Sequence, residues 1–156
     1  MTDSKNFQGR NQGGFNTPKP VNQYVKIGSF NTNGETKIVK EELFDKKAKE
    51  IAECMVGVTG TQFRRIYDEV KRFEQKLNGT GESWSENYPY IKMIKAKVSY
   101  TVARAIKNES RSEDAYRNLS AFITDGIDLI KDEKDYQVFL ALFEAVYGFS
   151  YEKLRN

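Results

Sequence analysis

Histidine is absent from the 156 residues and cysteine occurs once. The first absence removes the commonest general base and the commonest metal ligand together. With Cys54 as the single thiol, neither an internal disulfide nor a zinc site of the usual Cys/His type can form within one chain. Cys54 itself reads as a small apolar residue on a helix. Long apolar runs are missing too: no stretch approaches the roughly 20 residues a membrane helix needs, and the N-terminus lacks the basic, apolar, small-residue order of a secretion signal. A cytoplasmic protein with no membrane partner is the expectation. There is no Asp-rich calcium loop and no glycine loop ending in Lys-Ser/Thr. The 22 Asp and Glu residues come with no nucleophile, base and orienting partner in a recognisable pattern. The chain is therefore expected to be a non-enzyme with no cofactor and no metal. The acidic groups Asp125/Asp128 and Asp132/Glu133/Asp135 are expected at helix ends and in loops facing water.

What the sequence does hold is charge, at 30%, and aromatic side chains, at 13%. The net charge of +3 hides a polarity along the chain. Residues 1–40 carry +4, residues 41–111 carry +3 and residues 112–156 carry −4. Such a chain can offer a basic surface to a polyanion and an acidic one to a basic neighbour. Residues 1–36 are rich in Asn, Gln and Gly with isolated aromatics and no apolar periodicity, and cannot bury enough surface to offset their ordering entropy. They predict a disordered or extended arm, with at most a short strand at Tyr24–Ile27, ahead of a domain spanning 37–156.

In that domain apolar residues recur at helical spacing, and the fold class predicted is all-α, a compact five-helix bundle. The first helix is expected over about 42–56, with Gly57 as its stop. Thr59 is placed to cap the second, with Gln62 three residues on as in a capping box, and the stripe Phe63, Ile66, Tyr67, Val70, Phe73 and Leu77 makes its core face. The third is expected from Pro89 to about Lys107, along Ile91, Ile94, Val98 and Ala105. Ser112 is the expected cap of the fourth, whose stripe is Leu119, Phe122, Ile123 and Ile130. The fifth, over about 134–149, is apolar on more than one face, so it must be central or at an interface, with Leu142 or Phe149 the side chains to show a partner.

Opposite its core stripe the second helix presents Arg64, Arg65, Lys71, Arg72 and Lys76. The third adds Lys92 and Lys95 on one side and Lys97, Tyr100 and Arg104 on another, the last three spaced three and four apart along one line. An aromatic between two cations can stack a base while its neighbours hold phosphates, a common grip on unpaired RNA. A solvated basic face with Tyr100 half-packed is the plainer reading of the same residues.

Three segments together, in order, carry a resemblance. The stretch from Val58 through Thr59, Phe63, Arg64, Arg65, Ile66 and Tyr67 to Val70 resembles the threonine-capped, arginine-bearing helix of the Csm-type CRISPR small subunits. Ile94 to Arg104 is similar to their lysine-tyrosine-arginine helix, and Phe143-Glu144-Ala145-Val146-Tyr147-Gly148-Phe149 to their aromatic closing helix. The resemblance covers roughly residues 44–149. It implies a non-catalytic small subunit that stacks in several copies along the crRNA of a type III-A antiviral effector, beside the groove where target RNA pairs, while other subunits cut. It also implies, as partners, the other subunits of that complex, crRNA and target RNA, and further copies of this chain, stacked or as a homodimer. Arg64, Lys97 and Arg104 match the family's basic positions; Arg65, Lys92, Lys95 and Tyr100 come from the exposed faces. Because Asp68 and Glu69 stand beside the arginines of the second helix, the third is expected to be the better RNA-facing surface. The rival expectation is a helical protein-interaction module without nucleic acid, and the two differ in whether Lys97 and Arg104 share a basic groove or are consumed by ion pairs within the chain.

Overall fold

The computed structural model describes residues 23–33 and 37–154. Among them are five α-helices and no strand: α1 (Ala48–Glu53), led by a π-turn at Leu43–Lys47, α2 (Gly60–Gly79), α3 (Trp84–Asn108), α4 (Glu113–Leu129) and α5 (Glu133–Ser150). The all-α, five-helix expectation is met. Most of the residues assigned to the arm, 1–22 and 34–36, lie outside the described residues.

The helix starts follow local side-chain chemistry. Thr59 caps α2, its hydroxyl oxygen accepting from the Gln62 amide at 3.2 Å, as expected. The reciprocal half of the expected capping box is not made: Gln62 Oε1 is buried without a partner among the described residues. The start of α3 differs from the reading at Pro89. Ser83 accepts from the Glu86 amide at 3.3 Å while the Glu86 carboxylate accepts from the Ser83 amide at 2.9 Å, a full capping box that starts the helix upstream. Pro89 falls inside the helix, where its missing N–H leaves the Ser85 carbonyl without its usual bond. Ser112 makes no capping bond, because a 3₁₀ turn at Ser110–Ser112 leads straight into α4. Asp132 caps α5 by accepting from the Asp135 amide at 2.8 Å. Lys37, bonded to the same carboxylate at 2.5 Å, holds it below the usual carboxyl range, so this cap stays ionised. Gly57 has φ +115°, a backbone that only glycine takes without strain, and it marks the turn between α1 and α2.

Helix α5 is central, packing against α1, α2 and α4. This explains why it is apolar on more than one face, and it corrects the expectation for Leu142, which is fully buried, whereas Phe149 is exposed. Phe143 organises the core. Its ring stacks on Phe63 at 5.4 Å, Tyr67 at 5.3 Å and Phe122 at 5.4 Å between centroids, so one side chain of α5 joins α2 to α4. Helix α4 comes close to α5 at Gly126, where an added Cβ would meet the Phe139 ring at 2.0 Å. Tyr136 is buried with its hydroxyl donating to the Val70 carbonyl at 2.6 Å, and burial pushes its phenol well up from the ordinary tyrosine value.

Residues 23–33 are extended and fastened to the bundle. Ile27 and Phe30 enter the core, each worth about 2 kcal/mol of burial. The Tyr24 hydroxyl donates to Asp125 at 2.5 Å and the Ile27 amide donates to the same carboxylate at 2.8 Å, so Asp125 ties this segment to α4. Burial and the neighbouring carboxylate raise the Tyr24 phenol. The Cys54 thiol donates to the Gln23 carbonyl at 3.2 Å. The water-facing expectation is therefore corrected at two acids: Asp125 is half-buried, and Asp135 is buried and accepts from the Lys131 amide at 3.0 Å. The extended run at Tyr24–Ile27 pairs with no strand; the nearby isolated bridge joins Asn31 to Val39.

Candidate nucleic-acid interface

Helices α2 and α3 pack through Ile66 and Val70 on one and Ile94 and Val98 on the other, all buried in one core. This pairing fixes which polar residues border the seam. Along its outer edge runs an open groove in two adjoining stretches, one lined by Arg65, Glu69, Lys97 and Tyr100 and the next by Gln62, Arg65, Tyr100, Arg104 and Asn108. Arg65 and Tyr100 belong to both.

Four of the seven residues singled out from the sequence thus meet in one place. Tyr100 is 65% exposed, and the Arg104 guanidinium lies 5.6 Å from its ring centroid, so the cation and the ring present one continuous face. No ion pair engages Arg65 or Arg104 among the described residues. Lys97 differs, because its ammonium is bonded to the Glu69 carboxylate across the seam. The same Glu69 oxygen takes Arg72 at 3.1 Å.

The other three lie elsewhere. Arg64 is on the outer face of α2, loosely paired with Asp68 at 3.7 Å and largely in water. Lys92 lies over the Tyr88 ring at 4.6 Å, near the start of α3. Lys95 reaches the other way, to Asp128 of α4 at 2.5 Å. Lys71 of α2 lines neither stretch of the groove; it lies over the Tyr67 ring, and that phenol is the chief cause that raises its ammonium. The two-way test posed by the sequence receives a split answer: Lys97 is consumed within the chain and Arg104 is open.

Sequence reasoning passed over Gln62 and Asn108 as groove residues and Glu69 as the partner of Lys97. Gln62 and Asn108 stand where α2 begins and α3 ends, and only the antiparallel pairing of these helices brings them together. Glu69 and Lys97 are 28 positions apart, beyond the reach of any helical spacing rule.

Chemically, the groove offers cations and a stacking surface, features suited to a polyanion with planar bases. Among the described residues no group of three or more Cys, Asp or Glu side chains is placed to hold a metal ion, and no helix is long and apolar enough to cross a membrane.

No curated protein and no solved structure matches the chain. One family does: the model of the family described as Csm2 Type III-A matches residues 39–153, which takes in all five helices and both walls of the groove. The chain belongs to that family, and with it to the small subunits of the type III-A Csm complex, where its partners are the other Csm subunits.

Proposed function

We propose that this small subunit is non-catalytic, works in the cytoplasm in antiviral defence, and lays its α2–α3 groove against the backbone of crRNA or target RNA, with further copies of the chain stacked beside it. The observation that carries this reading is the line Arg65, Tyr100 and Arg104, exposed along one groove with no acidic partner on the two arginines among the described residues. In an RNA-guided complex sequence is read by base pairing, so a protein contact of this kind meets sugar and phosphate and is sensitive to salt and blind to sequence.

The test is binding of a short labelled single-stranded RNA across a salt series, comparing the native protein with Arg65→Ala/Arg104→Ala. If each arginine meets one phosphate, the variant's affinity falls and its log–log salt slope flattens by about 1.4, at roughly 0.7 per lost contact. Equal affinity and equal slope for the two proteins would remove the groove from the RNA path.

A second reading is favoured by a different observation. Phe44, Phe149 and Tyr151 are exposed aromatics on or beside α1 and α5, away from the groove, and the ammonium of Lys49 lies 5.3 Å from the Phe149 ring. Aromatic side chains presented in this way suit a protein neighbour. Under this reading the chain acts through subunit contacts alone, and Phe149→Ser abolishes co-purification with the other Csm subunits while RNA binding by the isolated chain is nil.

A further inference from the structure

Glu69 is an odd residue to find in a groove of cations. It rises from the middle of α2, is mostly covered, and one of its carboxylate oxygens takes both Lys97 of α3 and Arg72 of its own helix, the latter at 3.1 Å. A carboxylate and a phosphate oxygen compete for the same donors, and both want the charged ammonium and guanidinium. Where two cations share one carboxylate, two phosphate contacts are withheld and only one net positive charge remains. The neighbouring Arg65 and Arg104 carry no such partner among the described residues.

We propose that Glu69 is an electrostatic brake on the groove, a side chain that lowers affinity for single-stranded polyanion by occupying Lys97 and Arg72. The proposal rests on the reading that this groove meets RNA, and goes further by naming the residue that sets how strongly. The free subunit grips RNA through Arg65, Tyr100 and Arg104 alone. Lys97 and Arg72 join when a dense phosphate array, such as a guide held in place by other subunits, outcompetes one carboxylate. The brake keeps an isolated subunit from coating unrelated RNA, because each withheld cation removes one counterion-release contact.

Glu69→Gln tests it. The amide keeps the shape and an acceptor oxygen, so the α2–α3 seam persists while the negative charge is lost. Binding of a labelled oligouridylate is measured over a salt series for the native protein, Glu69→Gln, Glu69→Gln/Lys97→Met and Arg65→Ala/Arg104→Ala, with thermal unfolding run on each to show that it is folded. The expected result is that Glu69→Gln binds about five- to tenfold tighter near 50–100 mM salt for each recovered contact, with a slope steeper by about 0.7 per contact. Adding Lys97→Met should cancel one contact's share of that gain and leave the share due to Arg72. Binding by Glu69→Gln at the native affinity, while Arg65→Ala/Arg104→Ala weakens it, overturns the brake and leaves the groove reading standing. Weaker binding by a folded Glu69→Gln also overturns it, since Glu69 then positions the cations instead of withholding them. If neither the native protein nor any variant binds at low salt, the groove reading falls and the brake falls with it.

Discussion

The two flanks of α3 carry similar residues to different ends. Toward α4, Lys95 is spent on Asp128, and the surface beyond it is floored by Val102, Ala103 and Ile106. The acids on that side are themselves engaged, Asp125 with Tyr24 and the Ile27 amide, so the flank is stitched to its neighbours. Toward α2, Lys97 is also engaged, yet Tyr100 and Arg104 one and two turns on are open, and Arg65 faces them from the other wall. Cations that share one helix therefore do not make one basic surface. The difference shows that the charge available to a ligand is the charge left over after the tertiary neighbours have taken theirs.

That comparison depends on the core holding α2, α3 and α4 in place, and the largest effects are expected where the core is cut. Phe143→Ala removes the ring that links α2 to α4 and should cost about 3–5 kcal/mol in a denaturant titration, loosening both flanks together. Gly126→Ala drives a methyl into Phe139 at the α4–α5 crossing, and about 1–3 kcal/mol of destabilisation is expected, displacing α4 and so the flank that Lys95 serves before the one that Arg104 serves.

Alkaline pH gives an intermediate effect of known sign. Tyr136 is raised by burial, so the unfolded chain gives up its phenolic proton first. Its contribution is fully present below about pH 10 and is lost as pH climbs above that, at about 1.4 kcal/mol per pH unit until the folded-state value is reached. The Tyr24 phenol is raised as well and adds to the loss over the same range. In urea unfolding at successive pH values above 10, Tyr136→Phe should therefore reduce the slope by about 1.4 kcal/mol per pH unit without abolishing it, while costing about 1 kcal/mol at neutral pH for the lost bond to Val70.

The smallest effects sharpen the comparison most directly. Lys95→Met and Arg104→Ala each delete one positive charge from α3, so net charge alone predicts the same loss of RNA affinity. The geometry predicts about fivefold weaker binding for Arg104→Ala near 100 mM salt and little change for Lys95→Met. Equal losses for the two would mean that the whole helix acts as a diffuse charge.

Much of the bundle was legible in advance because its signals are local. The stripe Phe63, Ile66, Val70 and Phe73 repeats at the helical period, and all four are buried. Thr59 stands at its cap. The start of α3 was equally local, since Ser83-Trp84-Ser85-Glu86 spells a capping box, but Pro89 offered a competing start signal that the proline's tolerance near a helix N-terminus made persuasive. Ile27 and Phe30 escaped notice because two apolar residues in a polar run carry no period; their burial is a property of the surface that receives them. Of the candidate site, the line Lys97, Tyr100 and Arg104 was visible in its spacing, while the partner of each lysine was not.

By itself the sequence determined that this chain forms helices, roughly where, and which face of each is apolar, because hydrogen bonds within a helix and the period of its side chains involve residues a few positions apart. It also determined the family, through motifs that lie within single helices. Only the tertiary structure decided which cations remain available. Glu69 meets Lys97, and Asp128 meets Lys95, across gaps of 28 and 33 residues, set by how α2 and α4 pack on α3. An ion pair forms only over a few ångströms, and nothing in the order of residues along a chain fixes distances that short between separate helices.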